Sequence, residues 1–309
     1  MAAGVTEGGA DLGRRFATLD VFTATPLAGN PLAVVLDADG LDGARMQAIA
    51  REFNLSETVF VLPPRDPAHA AKVRIFTPGR ELPFAGHPTI GTACLIAHMR
   101  TPDRLADGVR IVLEEEVGDV ACRVRRDGDG LAAEFDCPRL PLRLDAPPPG
   151  VADLAAALGL DAGEIGFDGH QPSLFSAGAP FLFVPVRSLA TIARARPSDA
   201  LWTAPDAPAV FVYTSEVVEP GSAFHARMFG GGWGVPEDPA TGSAAAAFAG
   251  VVLAFDRPPD GEHDLTLEQG FEMGRPSRIA LRLRVEGGAL RSASVGGSAV
   301  IVSTGALAL

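Results

Sequence analysis

Apolar positions along the chain fall into two kinds of pattern. Short β-branched or aromatic runs bounded by proline and glycine predict strands at Phe16 to Phe22, Leu32 to Leu36, Thr58 to Leu62, Val73 to Phe76, Val109 to Leu113, Val120 to Val124 and Leu131 to Phe135. Further runs predict strands near Leu182 to Val186, Val210 to Thr214 and Phe224 to Met228, and from Leu265 to the C-terminus. Helical spacing is rarer. Met46, Ile49, Ala50 and Phe53 share one face of a helix predicted over 43–53, and another is expected near Val151 to Leu158. Two more helices differ in kind: Ile90, Ala93, Cys94, Ile96 and Ala97 leave little polar surface, and Ser243 to Ala254 is alanine-rich and almost without charge. A helix lacking a polar face belongs inside a fold. Strand runs lying side by side, around one such helix in each half, predict an α+β architecture.

Both apolar helices open on one phrase, Glu81-Leu82-Pro83-Phe84-Ala85-Gly86-His87 and Glu237-Asp238-Pro239-Ala240-Thr241-Gly242-Ser243. Three weaker matches keep the same order: Gly29 with Gly178, Val59 with Val210 and Arg74 with Arg227. With Gly86 and Gly242 the offsets are 149, 151, 153 and 156 residues. A drift this regular marks a duplicated topology. Residues 16–140 are read as the first half, and 141–309 as the second, with the final strand expected to return to the first half. The Pro-rich stretch Cys137 to Pro149 is the linker candidate. Residues 1–15 are Gly/Ala-rich, lack the apolar core of a secretory signal and are read as a loose leader.

A net charge of −12, with Lys72 the only lysine, offers no basic surface for nucleic acid. No apolar run approaches the ~18 residues of a membrane span. A cytoplasmic location is the default expectation. Cys94, Cys122 and Cys137 follow no paired spacing, so neither a disulfide framework nor a metal site is expected. No glycine-rich phosphate loop opens a helix after a strand, and no cofactor is expected.

The chemistry is expected where the helices begin. A helix N-terminus offers unpaired N–H groups and partial positive charge, which suit an anion. If the halves obey a pseudo-twofold axis, Gly86-His87 and Asp238 with Thr241-Gly242-Ser243 face one another across a cleft, and the pair of starts suits a small anionic metabolite. A catalytic residue need occur in one half only. Glu57 precedes Val59-Phe60-Val61, and the same offset in the second half gives Pro208.

Asp20-Val21-Phe22, Gly29-Asn30-Pro31, Asn54-Leu55-Ser56-Glu57-Thr58, Arg74-Ile75-Phe76-Thr77-Pro78, the two Pro-x-x-Gly phrases, Arg227-Met228-Phe229, Gln269-Gly270 and Gly274-Arg275-Pro276 together resemble the PhzF-like isomerases of phenazine biosynthesis. The resemblance implies a diaminopimelate epimerase-like fold, with two pseudo-twofold-related halves, each a bent, mostly antiparallel sheet around a central apolar helix, and usually a homodimer. It also implies cofactor-free acid–base isomerisation of a small carboxylic acid. The family's proton-relaying glutamate matches Glu57. Its substrate-contacting histidine, aspartate and serine match His87, Asp238 and Ser243, and its carboxylate cradle matches Gly86 and Gly242 with Thr241 beside it. Gly230-Gly231-Gly232-Trp233 departs from the family pattern as a more glycine-rich loop. Two alternatives stay open: a thiol-dependent amino-acid epimerase or racemase of the same fold, and a non-catalytic ligand-binding member. Neither helix start carries the cysteine that the thiol route needs.

Overall fold

The computed structural model describes residues 13–128, 130–202, 207–231 and 235–309. The first half runs β1 (Arg14–Val21), β2 (Asn30–Val35), α1 (Gly43–Phe53), β3 (Glu57–Leu62), β4 (Ala71–Phe76), β5 (Glu81–Leu82), α2 (Gly86–Arg100), β6 (Val109–Glu115), β7 (Gly118–Asp127) and β8 (Gly130–Asp136). After β9 (Leu142–Arg143) and α3 (Val151–Leu158) the second half repeats that order. It runs β10 (Ser173–Ser176), β11 (Pro180–Pro185), α4 (Leu189–Arg194), β12 (Ala209–Thr214), β13 (Phe224–Gly230), β14 (Val235–Asp238), α5 (Gly242–Phe255), β15 (Gly261–Gln269), β16 (Ser277–Glu286) and β17 (Ala289–Leu307).

Pairing repeats with the order. β2 runs parallel to β3 as β11 does to β12, and β4 parallel to β6 as β13 to β15, while the other pairings are antiparallel. β17 is long enough to serve both halves: Ala289 to Gly296 pairs with β16, Ser294 to Ala299 with β8, and Ala299 to Leu307 with β1. The first half thus closes into a barrel through β1, β2, β3, β4, β6, β7, β8 and β17. The second half closes alike, with β8 against β17 and β9 continuing against β10. Crossing strands remove free edges, the usual weak points of a sheet.

Each barrel encloses its apolar helix. In α2, Gly86 to Ala97 are all buried. Gly91 permits the close approach: an added Cβ would lie 2.6 Å from Leu32 Cδ2 and 2.8 Å from Val21 Cγ2. In α5, Phe248 meets Phe183, Phe211, Tyr213 and Phe224 at ring separations of 4.9 to 5.8 Å. Cutting such a ring to alanine costs about 3–5 kcal/mol.

The structure adds to the sequence reading and corrects it. Arg14 and Arg15 belong to β1 rather than to the leader, because Leu307 and Ala306 supply a paired strand; residues 1–12 lie outside the described residues. Short β5, β9, β10, β14 and α4, none of them expected, carry too few residues to show a period, and β9 lies within the linker candidate. The strand registers pair Thr58 with Phe76 and Val210 with Phe229, so the counterpart of Glu57 is Ala209, one residue from Pro208. The carboxylate is still unmatched. Among the described residues no helix is long and apolar enough to cross a membrane.

Candidate active site

The two Pro-x-x-Gly phrases meet where the helices begin. A Cβ built on Gly86 would lie 3.0 Å from Gly242 Cα and 3.4 Å from Ser243 N. Glycine at both positions lets the two backbones touch. Neither helix start is capped by a side chain, and neither first turn holds an acid. The first-turn N–H groups of Gly86 and His87 (Pro88 has none), and of Gly242, Ser243 and Ala244, therefore keep their donor capacity. Two helix dipoles point their positive ends at one place.

The hairpins leading into these starts are clamped alike. Arg74 forms a two-pronged ion pair with Glu81 at 2.6 Å, and Arg227 pairs with Glu237 at 2.8 and 2.9 Å. The glutamates repeated in the phrase are therefore anchors. Gln269 secures the second turn further, donating to Asp238 O at 2.7 Å and accepting from Thr241 N at 3.2 Å. Below Gly242 lies the ring of Phe22, whose backbone is held at φ 65°, an unusual value for a bulky residue, by bonds to Ser298 O and from Arg278 N.

Chemistry arises where the halves differ. Registers and motif offsets set Glu57 against Ala209, His87 against Ser243, Asp238 against Leu82 and Asn30 against Ala179. Asn30, His87 and Asp238 are buried, and Glu57's side chain is 15% exposed. The Asn30 amide nitrogen faces His87 Nδ1 at 3.2 Å, Asp238 Oδ1 at 2.8 Å and Ala240 O at 2.9 Å. An amide N–H pointing at Nδ1 makes that nitrogen the acceptor and leaves the ring proton on Nε2. Asp238 also accepts from Thr241 Oγ1 at 2.6 Å. Ser243's half-buried hydroxyl has no hydrogen-bond partner among the described residues.

Glu57 Oε2 lies 3.3 Å from His87 Nε2, yet the two are not aligned as a hydrogen bond, and both atoms are buried without a partner. Burial lowers the His87 pKa to about 3, so the contact is between a neutral imidazole and a carboxyl, not an ion pair. Burial raises the Glu57 pKa well above the ordinary range, and the charge of Asp238 adds to it. Asp238 is raised by burial to about 6, against the hydrogen bonds from Thr241, Asn30 and Ser56. Unsatisfied buried polar atoms are uncommon in folded proteins, and here Glu57 Oε2, His87 Nε2 and Asn30 Oδ1 gather in one place.

All the residues predicted for the site are thus brought to one locus. Sequence reasoning missed Asn30 as a site residue, although Asn30 stands beside Gly29 in the first half and Ala179 replaces it in the second. Arg275 holds that segment, donating to Gly29 O at 2.8 Å and to Ala28 O at 2.7 Å while pairing with Asp20. In the glycine-rich loop, Gly232 and Trp233 lie outside the described residues. Gly231 packs on Trp202, where a Cβ would lie 2.7 Å from the ring.

A duplicated barrel pair with a buried carboxyl and imidazole between two open helix starts defines a diaminopimelate epimerase-like isomerase scaffold. Residues 19–305 match the phenazine biosynthesis-like protein family, and the chain belongs to it. It is 51% identical over 303 residues to an uncharacterised isomerase of Mesorhizobium japonicum, spanning 95% of this chain and 98% of that protein. It is 37% identical over 293 residues to the trans-2,3-dihydro-3-hydroxyanthranilate isomerase of Pseudomonas aeruginosa, spanning 94% and 98%. The crystal structure of a Bacillus anthracis phenazine biosynthesis protein of the PhzF family superposes with a TM-score of 0.83 at 26% identity, covering 94% and 97% of the two chains. The chain is an isomerase of the PhzF family.

Proposed function

We propose that the chain isomerises a small carboxylic-acid metabolite by moving a proton through Glu57. The observation that carries this reading is the buried, unaligned approach of Glu57 Oε2 to His87 Nε2 beside two uncapped helix starts. The substrate carboxylate is held by the first-turn N–H groups after Ala85 and Thr241. His87 Nε2–H and Asp238 engage its hydroxyl or amino group and set the carbon skeleton against Glu57.

Burial raises the Glu57 pKa above the ordinary carboxylate range, toward the range in which one group can both take and return a proton. The Glu57 carboxylate takes a proton from one carbon of the unsaturated acid, which leaves negative charge on the substrate, and the acid so formed gives a proton to another carbon. The double bond shifts and Glu57 returns to its first state. Charge that develops on the substrate is drawn toward the helix starts, whose dipoles are already oriented. His87 stays neutral and serves as a donor, because Asn30 occupies Nδ1. The dihydro-hydroxyanthranilate of the Pseudomonas relative is the first compound to test.

The test is turnover of that compound and of a panel of unsaturated amino and hydroxy acids in deuterated water, read as carbon-bound deuterium by NMR. Wild-type protein incorporates deuterium and Glu57→Gln incorporates at least ~10²-fold less, the scale of a lost acid–base group, while still binding the ligand. Full incorporation by the Gln variant would sink the mechanism.

A further inference from the structure

The same strand position carries different side chains in the two halves. In the parallel pair β4/β6, Lys72 stands opposite Glu114; in β13/β15, His225 stands opposite Glu268. Glu114 accepts from the backbone N–H groups of Arg65 and Asp66 at 3.0 and 2.8 Å, and Glu268 accepts from those of Val218 and Glu219. These two glutamates are counterparts. The next residue is Glu115 in the first half and Gln269 in the second, and Gln269 is the amide that fixes the turn before α5.

Glu115 reaches the start of the other helix. Its Oε1 lies 2.7 Å from Thr89 Oγ1, and the same hydroxyl lies 2.8 Å from Ala85 O, the carbonyl just before Gly86. A hydroxyl has one hydrogen to give. If it goes to Ala85 O, Glu115 must itself be the donor to Thr89. The side chain is buried, Oε2 is without a partner, and among the described residues no cation is bonded to it. Arg65 and Arg74, from the adjoining loop and β4, are paired with Glu114 and Glu81. The other titratable groups around it are Lys72 on β4, Glu116 next in the chain, Cys122 on β7 and, beyond Cys122, Cys94 on α2.

We propose that Glu115 is a positioning residue that works as a neutral carboxylic acid: its O–H donates to Thr89 Oγ1, Thr89 donates to Ala85 O, and this relay fixes the first turn of α2. The proton makes Glu115 the equivalent of the amide at Gln269, so both walls of the site are held by neutral side chains from matching strand ends. Burial, opposed by the Thr89 hydroxyl, pushes the carboxyl up to about 8 from its ordinary 4.5. A group raised in the folded state stabilises fully below its unfolded value and loses that contribution as pH rises through the folded one. Above about pH 8 the relay lacks its proton, and the wall bearing Gly86 and His87 loosens.

The test needs no substrate, so it stands apart from the proton-transfer reading. Wild type and Glu115→Gln are compared by thermal melting from pH 5 to pH 10 and by hydrogen exchange of the segment 85–92, corrected for intrinsic rates. At pH 5 the two melt within about 3 °C of each other. As pH rises, wild type falls progressively below the variant, and its protection over 85–92 drops on the order of ten-fold between pH 7 and 9.5 while the variant's holds. Parallel melting profiles, or equal protection at every pH, overturn the proposal. So does failure of the Gln variant to fold, because its amide N–H can replace the acid's O–H at Thr89.

Discussion

The backbones of Gly86 and Gly242 are in contact: a Cβ on the first would sit 3.0 Å from the second's Cα, and the reverse placement gives 3.3 Å. Two helices begin at a shared point because neither carries a side chain there. Gly86→Ala must push the starts apart, and overpacking of this kind costs about 1–3 kcal/mol. Urea unfolding should register that loss. Kinetics should show a larger rise in KM than fall in kcat, because the anion cradle opens while Glu57 stays in place.

Asn30 ties the halves together through His87, Asp238 and Ala240. Asn30→Ala removes the donor from three buried acceptors, of which Asp238 keeps Thr241 and Ser56 while His87 Nδ1 and Ala240 O lose theirs at about 1–3 kcal/mol each, and should lower kcat/KM by ~10- to 100-fold. Asn30→Asp should fare worse, since an added carboxylate beside Asp238 cannot donate to His87. Nitrogen NMR of wild type should find Nδ1 of His87 unprotonated and Nε2 protonated. The opposite tautomer would refute the arrangement.

The thiols offer a sharp contrast to Glu57. Burial raises the pKa of Cys94 and Cys122 far above the ordinary value and pushes Cys137 up to about 12. None supplies thiolate at neutral pH. Replacing all three by alanine should leave turnover within about two-fold of wild type, since no side chain of the site is altered. A thousand-fold loss would restore the thiol route.

His225 sits fully buried between Glu268 at 2.8 Å and Glu272 at 3.0 Å. Burial alone would lower its pKa, but the hydrogen bonds to Glu272 and Glu268 outweigh it and the net shift is upward. Its contribution is therefore complete below the unfolded value of 6.5 and lost as pH rises through the higher folded value. Glu272→Gln should destabilise the protein at pH 6 and matter less at pH 9, as melting temperatures will show.

Much of this protein was legible in its residues. The drifting offsets disclosed the duplication, and the bounds of α1 and α3 follow directly from apolar spacing. Glu57 stood out because a duplicated chain exposes whatever only one half contains. Other features left no local trace. Asn30 looks like a turn residue beside Gly29, and only the fold brings it 2.8 Å from Asp238, 208 positions away. The shift from Pro208 to Ala209 as the counterpart of Glu57 required strand registers, which depend on hydrogen bonds between distant segments.

By itself, then, the sequence determined the repeated elements, the apolar helices and the residue types at their starts, because periodicity, turn chemistry and duplication are written locally. The tertiary structure decided which atoms meet. It threaded β17 through both barrels, set Glu57 Oε2 at 3.3 Å from His87 Nε2, and buried both. Proton affinity follows from that burial and from neighbouring charge, and neither is a property of a residue until the chain has folded around it.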